Sequence, residues 1–134
     1  MGQNIAKSAE EQMNRYCFKS SKFKIEANED EYTNPGIYGK NFANYLAKEL
    51  SALGYKIKDI VPEDLGWCIV LEKNIYVACN GQYYNNHIIW SYFCEIKNSI
   101  LKKLFKKSNL KMLKKLDSDI YKILSSNFTL INCP

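Results

Sequence analysis

The chain has 134 residues, of which 46% are hydrophobic, and its formal net charge is +5. This length and apolar content suit one domain with one buried core, and they argue against a disordered chain. No apolar run approaches the roughly 20 residues that a bilayer requires, and the first 19 residues lack the apolar stretch of a secretory signal. We therefore predict a single domain over residues 1–134, located in the cytoplasm and without membrane contact.

The charge is unevenly divided along the chain. Residues 1–67 hold 9 basic and 10 acidic side chains, whereas residues 68–134 hold 10 basic and 4 acidic ones. The two halves therefore carry charges of −1 and +6. Such asymmetry bears on the charge of any partner that each half would attract.

The N-terminal third predicts one strand and one long helix. Residues 1–20 have weak periodicity and are expected to form a loosely attached segment, with a short helix near residues 9–14. Phe23–Ala27 alternates apolar and polar residues, as a half-buried strand does. A helix is predicted over about 38–53, ended by Gly54. Its apolar face has 3.6-residue spacing and consists of Phe42, Ala43, Leu46, Ala47, Leu50 and Leu53.

The middle of the chain has the period of strands. Apolar stretches lie at 55–61, 67–71, 75–79 and 88–96, and the second is apolar on both faces, as a central strand would be. Turns are predicted at Pro62–Gly66, at Lys73-Asn74 and at Asn80-Gly81, the last because both residues accept positive φ. The predicted fold is α+β, with an antiparallel sheet of about four to five strands on which the 38–53 helix packs.

The C-terminal part is predicted to be helical. Ser99 can cap a helix that carries Ile100 and Leu101. A second amphipathic stretch runs towards Asn127 with Leu113, Leu116, Ile120 and Leu124 on one face. The last residues, 128–133, are expected to add a short edge strand or a docked tail.

The residues that could bind metals or cofactors form no known pattern. The five cysteines, at positions 17, 68, 79, 94 and 133, include no CxxC pair, and His87 is the single histidine. Since zinc sites use four such ligands, commonly as two close pairs, no metal site is predicted. An odd number of cysteines in a cytosolic chain indicates reduced thiols. The glycines match no phosphate-binding fingerprint, so no cofactor is predicted.

Two acidic segments and one aromatic tip are the candidates for contact with a partner. Glu63 and Asp64 are adjacent at a predicted turn, where carboxylates accept backbone hydrogen bonds more often than they share acid–base chemistry. We therefore predict no catalytic residue. Tyr83 and Tyr84 precede two asparagines at a predicted loop tip, and aromatic residues are enriched in interfaces. The predicted partner-binding residues are Glu29, Asp30, Glu31, Glu63, Asp64, Tyr83 and Tyr84.

A lysine-rich stretch supports a second interpretation. Seven lysines, at 102, 103, 106, 107, 111, 114 and 115, alternate with apolar residues. Such a helix could grip phosphates or lie on an anionic membrane. A solvated helix face is the favoured interpretation, because arginine, the preferred ligand of phosphates, occurs once in the chain, as Arg15.

Two stretches carry a resemblance to a family. The first extends from Phe23 through Glu29-Asp30-Glu31 and Thr33-Asn34-Pro35-Gly36 to the helix at Phe42, and the second joins Pro62–Cys68 to Val77–Gly81. This order resembles a widespread set of small bacterial proteins that have a helix, an E-D-W-G-W turn and a strand ending near cysteine and glycine. Leu65 replaces the first tryptophan of that turn.

The resemblance implies a function. The size and the missing catalytic set are similar to those of immunity proteins of contact-dependent growth inhibition systems, which neutralise a toxin by binding it in the cytoplasm. The predicted partner is thus a cognate toxin domain, such as a basic nuclease, and no small-molecule substrate is expected. The alternatives are a regulatory protein that binds nucleic acid through the 102–115 lysines and, with least support, a small hydrolase using Glu63 or Asp64.

Overall fold

The fold is that of a computed structural model, which describes residues 16–97 and 106–134. Helix α1 spans Lys40–Ala52 and helix α2 spans Lys106–Asn127. The strands are β1 Tyr16–Lys19, β2 Ile57–Glu63, β3 Gly66–Leu71, β4 Ile75–Tyr84, β5 His87–Ile96 and β6 Ile131–Asn132. Short 3-10 turns lie at Glu29–Glu31 and Glu72–Asn74. The predicted α+β class is confirmed, and so is the 38–53 helix, within two residues at its start.

Within the described residues, the sheet has six antiparallel strands in the order β2-β3-β4-β5-β1-β6. Strands β2 to β5 form the predicted meander, and β6 is the predicted edge strand. The prediction of four to five strands was too low by at least one because Tyr16–Lys19 pairs with β5 and β6. Of the C-terminal helices, α2 is described, whereas the predicted Ser99 helix and the short helix near residues 9–14 lie outside the described residues.

Two tight turns join β3 to β4 and β4 to β5. Lys73 and Asn74 have φ of 60° and 59°, as the predicted two-residue turn requires. The predicted turn at Asn80-Gly81 is wrong, because both residues lie inside β4 and the chain turns at Asn85-Asn86. A glycine is needed at position 81 for another reason: a Cβ atom there would overlap the ring of Trp90 on the neighbouring strand.

In the described part of the chain, the hydrophobic core lies between the sheet and helices α1 and α2. Phe42, Leu46 and Leu50 of α1 are fully buried. The four predicted apolar residues of α2 are at most 1% exposed, namely Leu113, Leu116, Ile120 and Leu124. Alternate residues of the central strands face the helices and belong to the same core, namely Trp67, Ile69, Leu71, Ile75, Val77, Cys79, Trp90, Tyr92, Cys94 and Ile96. Both helices therefore cover the same face of the sheet, and we call the opposite side the outer face.

Residues 23–27 are not the predicted strand. They form irregular structure, and Phe23 is buried because its ring packs with those of Phe42, Trp90 and Phe128. The alternation that suggested a strand reflects one aromatic anchor in a loop. The part of the predicted loose segment that is described, Tyr16–Lys19, is likewise a paired strand, because backbone hydrogen bonding to β5 fixes it.

The cysteines differ partly from the prediction. Cys17 and Cys133 form a disulfide that joins β1 to the C-terminal end, so these two are not reduced thiols. Disulfides are typical of oxidising compartments, so this bond fits the predicted cytoplasmic location poorly. Cys68, Cys79 and Cys94 are free and buried, and burial raises the pKa of the Cys68 thiol to about 12. In the described part of the chain, neither helix has the length and hydropathy of a membrane span.

Two glycines pack against one carbonyl group of β4. Gly39 and Gly66 have φ of +150° and +147°, and a Cβ atom at either position would overlap the Cys79 carbonyl oxygen. The segment just before α1 and the first residue of β3 therefore both pack against the same carbonyl group of the sheet. Both approaches require glycine.

We expect Gly66→Ala to lower the free energy of unfolding by roughly 3 kcal/mol or more, because backbone strain and steric overlap add. Gly54→Ala is the matched control: its φ of +98° is strained too, but nothing lies within 4 Å of the added Cβ atom. That variant should lose only about 1–2 kcal/mol. Urea unfolding of both variants checks this, and equal losses would contradict the role of the Cys79 contact.

We also expect the double substitution Cys17→Ser and Cys133→Ser to lower the free energy of unfolding by roughly 2–4 kcal/mol. The disulfide joins residues 116 positions apart, so it removes many conformations from the unfolded chain. Reductant should destabilise the wild-type protein by the same amount and leave the double variant unchanged. A wild-type unfolding curve that reductant does not shift would show that the bond is absent in solution.

Candidate partner-binding surface

Glu29, one of the predicted contact residues, is a structural residue. Its side chain is 4% exposed. Oε1 accepts hydrogen bonds from the backbone N–H of Gly39 at 2.9 Å and of Lys40 at 3.1 Å, and Oε2 accepts one from Glu26 at 2.8 Å. The carboxylate thus satisfies N–H groups at the start of α1, where the helix dipole favours negative charge. Its burial removes Glu29 from the set of residues that can contact a partner.

The other two acids of the 3-10 turn lie nearer the surface. Asp30 is half-buried and accepts a hydrogen bond from the Gly36 N–H at 2.9 Å, whereas Glu31 is exposed. The same loop reaches the second acidic segment, because the Asn34 N–H donates to the carbonyl oxygen of Asp64 at 2.8 Å. The structure therefore brings the two acidic segments together, although more than 30 positions separate them in the sequence.

The two tyrosines of the predicted tip lie at the same end of the sheet. Tyr38 pairs with Gly81 through two backbone hydrogen bonds, of 2.9 and 2.7 Å, and its ring centroid lies 6.1 Å from that of Tyr83. Desolvation raises the pKa of the Tyr38 hydroxyl, and the charges of Asp30, Tyr83 and Glu29 raise it further. The acidic turn and the tyrosine tip are therefore within electrostatic range of one another.

We name this region the hairpin-end surface, and it consists of Asp30, Glu31, Tyr32, Asp64, Leu65, Tyr83 and Tyr84. Four large side chains in it are unusually exposed, at 66% for Tyr32, 53% for Leu65, 58% for Tyr83 and 44% for Tyr84. Tyr32 and Leu65 were not predicted as contact residues. The signal for Leu65 was its place in the two-residue turn between β2 and β3, where an apolar side chain has no core to enter.

Glu63 occupies a different environment from Asp64. It is the last residue of β2, and its Oε1 lies 3.1 Å from Nζ of Lys97, which also lies 3.1 Å from Oε1 of Glu95. Lys97 thus offsets part of the charge of Glu63. The two predicted carboxylates do not form an acid–base pair, because one is in an ion-pair cluster at the outer face and the other is on the turn.

The residues considered for chemistry are not brought together. His87 is exposed at the start of β5 and lies on the outer-face side of the strand, whereas Cys94 points into the core. In residues 16–97 and 106–134, no group of three or more histidine, cysteine or acidic side chains could hold a metal ion.

The lysine-rich stretch is described only in part. Lys111, Lys114 and Lys115 are exposed, on the side of α2 that faces away from the sheet. Lys115 Nζ is 2.9 Å from Oδ2 of Asp119 and 5.3 Å from the Tyr55 ring centroid. Lys102 and Lys103 lie outside the described residues, and so do the side chains of Lys106 and Lys107.

The chain matches no protein-family model, and no curated protein or solved structure shows significant similarity to it. The resemblance to small bacterial immunity proteins accordingly stays a prediction. Leu65 stands where the resembled family has a tryptophan. It lies on an exposed turn, so an aromatic side chain at this position would be available for contact.

We expect Glu29→Gln to lower the free energy of unfolding by roughly 1–3 kcal/mol, because the amide NH₂ cannot accept the hydrogen bonds that one carboxylate oxygen accepts now. Glu31→Gln, two residues away and exposed, should change it by less than about 0.5 kcal/mol. Thermal unfolding of the two variants checks this. If both behave alike, the carboxylate of Glu29 is not the anchor of the loop.

Proposed function

We propose that this protein is an immunity protein that binds a cognate toxin domain in the cytoplasm and neutralises it without catalysis. The observation that supports this most is the hairpin-end surface, where acidic residues from two distant segments and four exposed large side chains lie at the same end of the sheet. Exposed tyrosines are characteristic of contact surfaces, and clustered carboxylates provide attraction for a basic partner. The Cys17–Cys133 disulfide is the feature that fits the proposed location least.

The proposed partner is a basic nuclease domain. Proteins that act on RNA or DNA carry positive surfaces that attract phosphates, and a carboxylate-bearing surface can occupy the same positive site. Binding of this kind blocks access of the nucleic acid without any reaction. The net charge of +5 opposes the attraction, so the local charge of the hairpin-end surface must dominate at short range.

The alternative function, nucleic-acid binding through α2, is favoured by one observation. Lys111 and Lys114 are exposed on the same helix, and neither is engaged in a described ion pair. Binding of generic RNA that weakens steeply with salt would support this alternative. Absence of binding at low salt would eliminate it. The hydrolase alternative is tested with a Glu63→Gln variant. If this variant folds and has the wild-type phenotype, Glu63 is not a catalytic residue.

The proposed function predicts that the gene immediately upstream encodes a protein with a toxin domain, and its test is co-expression of this protein with that domain. Wild-type protein should restore the growth that the toxin domain arrests. The double variant Glu31→Lys, Asp64→Lys should bind the purified toxin domain roughly 10-fold to 100-fold more weakly, chiefly through a slower association rate at low salt.

The matched control is the double variant Asp59→Lys, Glu72→Lys. Both residues are exposed acids outside the hairpin-end surface, and Glu72 follows the opposite end of β3. The net charge changes equally in the two double variants, so only a local effect separates them. The proposal fails if wild-type protein does not relieve toxicity. The acidic contact fails if both double variants retain the wild-type affinity and association rate.

A further inference from the structure

Strand β2 lies at one end of the sheet, and in the described part of the chain only β3 pairs with it. We call its other side the free edge of β2. Such an edge presents backbone N–H and C=O groups that can pair with a strand of another molecule. β2 has seven residues, none of them buried, so it is long enough and accessible enough for that pairing.

Two residues of β2 direct their backbone nitrogen to the free edge. In an antiparallel pair, every second residue bonds to the neighbouring strand and the residues between them face away from it. The two-residue turn makes Glu63 and Gly66 a hydrogen-bonded pair. Counting back from Glu63, the residues that face away from β3 are therefore Pro62 and Ile60. The Ile60 N–H agrees with this alternation, because it donates to a side chain and not to β3.

Neither position offers an N–H group for pairing. The Ile60 N–H donates to Oδ1 of Asp59 at 2.8 Å, so the preceding carboxylate occupies it. Pro62 has no N–H group. At Lys58, the next outward position, the register with β3 shifts, as at a β-bulge, and bulges turn an edge away from an added strand. Lys58 and Asp59 also place exposed charges on the edge, which resist strand addition.

We propose that the free edge of β2 is a strand-pairing surface for a second copy of this chain, and that the Asp59 carboxylate and Pro62 keep it closed. A two-fold pair of β2 strands is antiparallel and uses the same surface on both copies. Centred on Ile60, it would set position 58 of one copy against position 62 of the other. The irregular register would then face the proline twice, so the three features act on one pairing. The inference is independent of the proposed function.

The test opens the edge with the double variant Asp59→Thr, Pro62→Thr. This variant frees the Ile60 N–H and adds an N–H group at position 62. Threonine favours strands and has no charge, whereas lysine at position 59 would leave a charge on the edge. In analytical ultracentrifugation the wild-type protein should be monomeric. The double variant should self-associate at least about 10-fold more strongly, because each copy contributes two further hydrogen-bond donors.

Two variants serve as controls. Glu72→Thr removes one exposed carboxylate from the 3-10 turn that follows β3 and should stay monomeric. Asp59→Asn removes the charge but keeps an oxygen that can accept the Ile60 hydrogen bond, so it should stay monomeric too. Urea unfolding establishes that each variant folds. The single variant Asp59→Thr changes only an exposed side chain, and it should show a smaller gain in self-association if the double variant does not fold.

Hydrogen exchange followed by NMR locates the contact. In the wild-type protein the Ile60 N–H should exchange much faster than that of the buried Ile69 on β3. On association of the double variant, exchange at positions 60 and 62 should slow at least about 10-fold. Equally slow exchange of Ile60 and Ile69 in the wild-type protein overturns the proposal, because the edge would already be paired. A folded double variant that stays monomeric overturns it, and so does a dimer without slower exchange at positions 60 and 62.

Discussion

The carboxylate of Glu29 is the group on which the arrangement of the hairpin end depends. A buried charge is unfavourable unless hydrogen bonds replace its hydration, and here three backbone N–H groups do so. Two of them belong to Gly39 and Lys40, so the carboxylate holds the acidic turn to the start of α1. Tyr38 is adjacent and pairs with Gly81 of β4. One side chain thus connects a loop, a helix and the sheet.

The same interaction explains why the acidic turn has both a structural and an exposed part. With Glu29 turned inward, Glu31 and Tyr32 point to solvent, and Asn34 reaches the β2–β3 turn. The close contacts of Gly39 and Gly66 with the Cys79 carbonyl group hold those segments on β4. The exposed side chains of the hairpin-end surface are therefore presented by a rigid base. The backbone of such a surface is already ordered, so binding has to order only the exposed side chains.

Local periodicity was sufficient to predict α1, α2 and most strands, because their apolar spacing is a property of neighbouring residues. The predictions were wrong where a residue distant in the sequence determines the local structure. Asn80-Gly81 has the composition of a turn, but Trp90 on the paired strand needs the space that glycine leaves. Cys17 and Cys133 are joined only because β1 and β6 lie side by side. Glu29 resembled its two acidic neighbours in sequence, and only the fold distinguishes it.

The position of the charges matters more than their sum. The described lysines of α2 belong to the helix layer, and Lys115 lines a cavity with Glu72 and Lys73, beyond one end of β3. The carboxylates of the hairpin-end surface lie at the other end of this six-residue strand, which is about 20 Å long. That length exceeds the Debye length of about 8 Å at physiological ionic strength, so a basic partner at the hairpin end is largely screened from those lysines. The protein can therefore be basic as a whole and still present an acidic surface to its partner. At low ionic strength the same separation would orient an approaching basic domain, because the lysine end would repel it while the hairpin end attracts it.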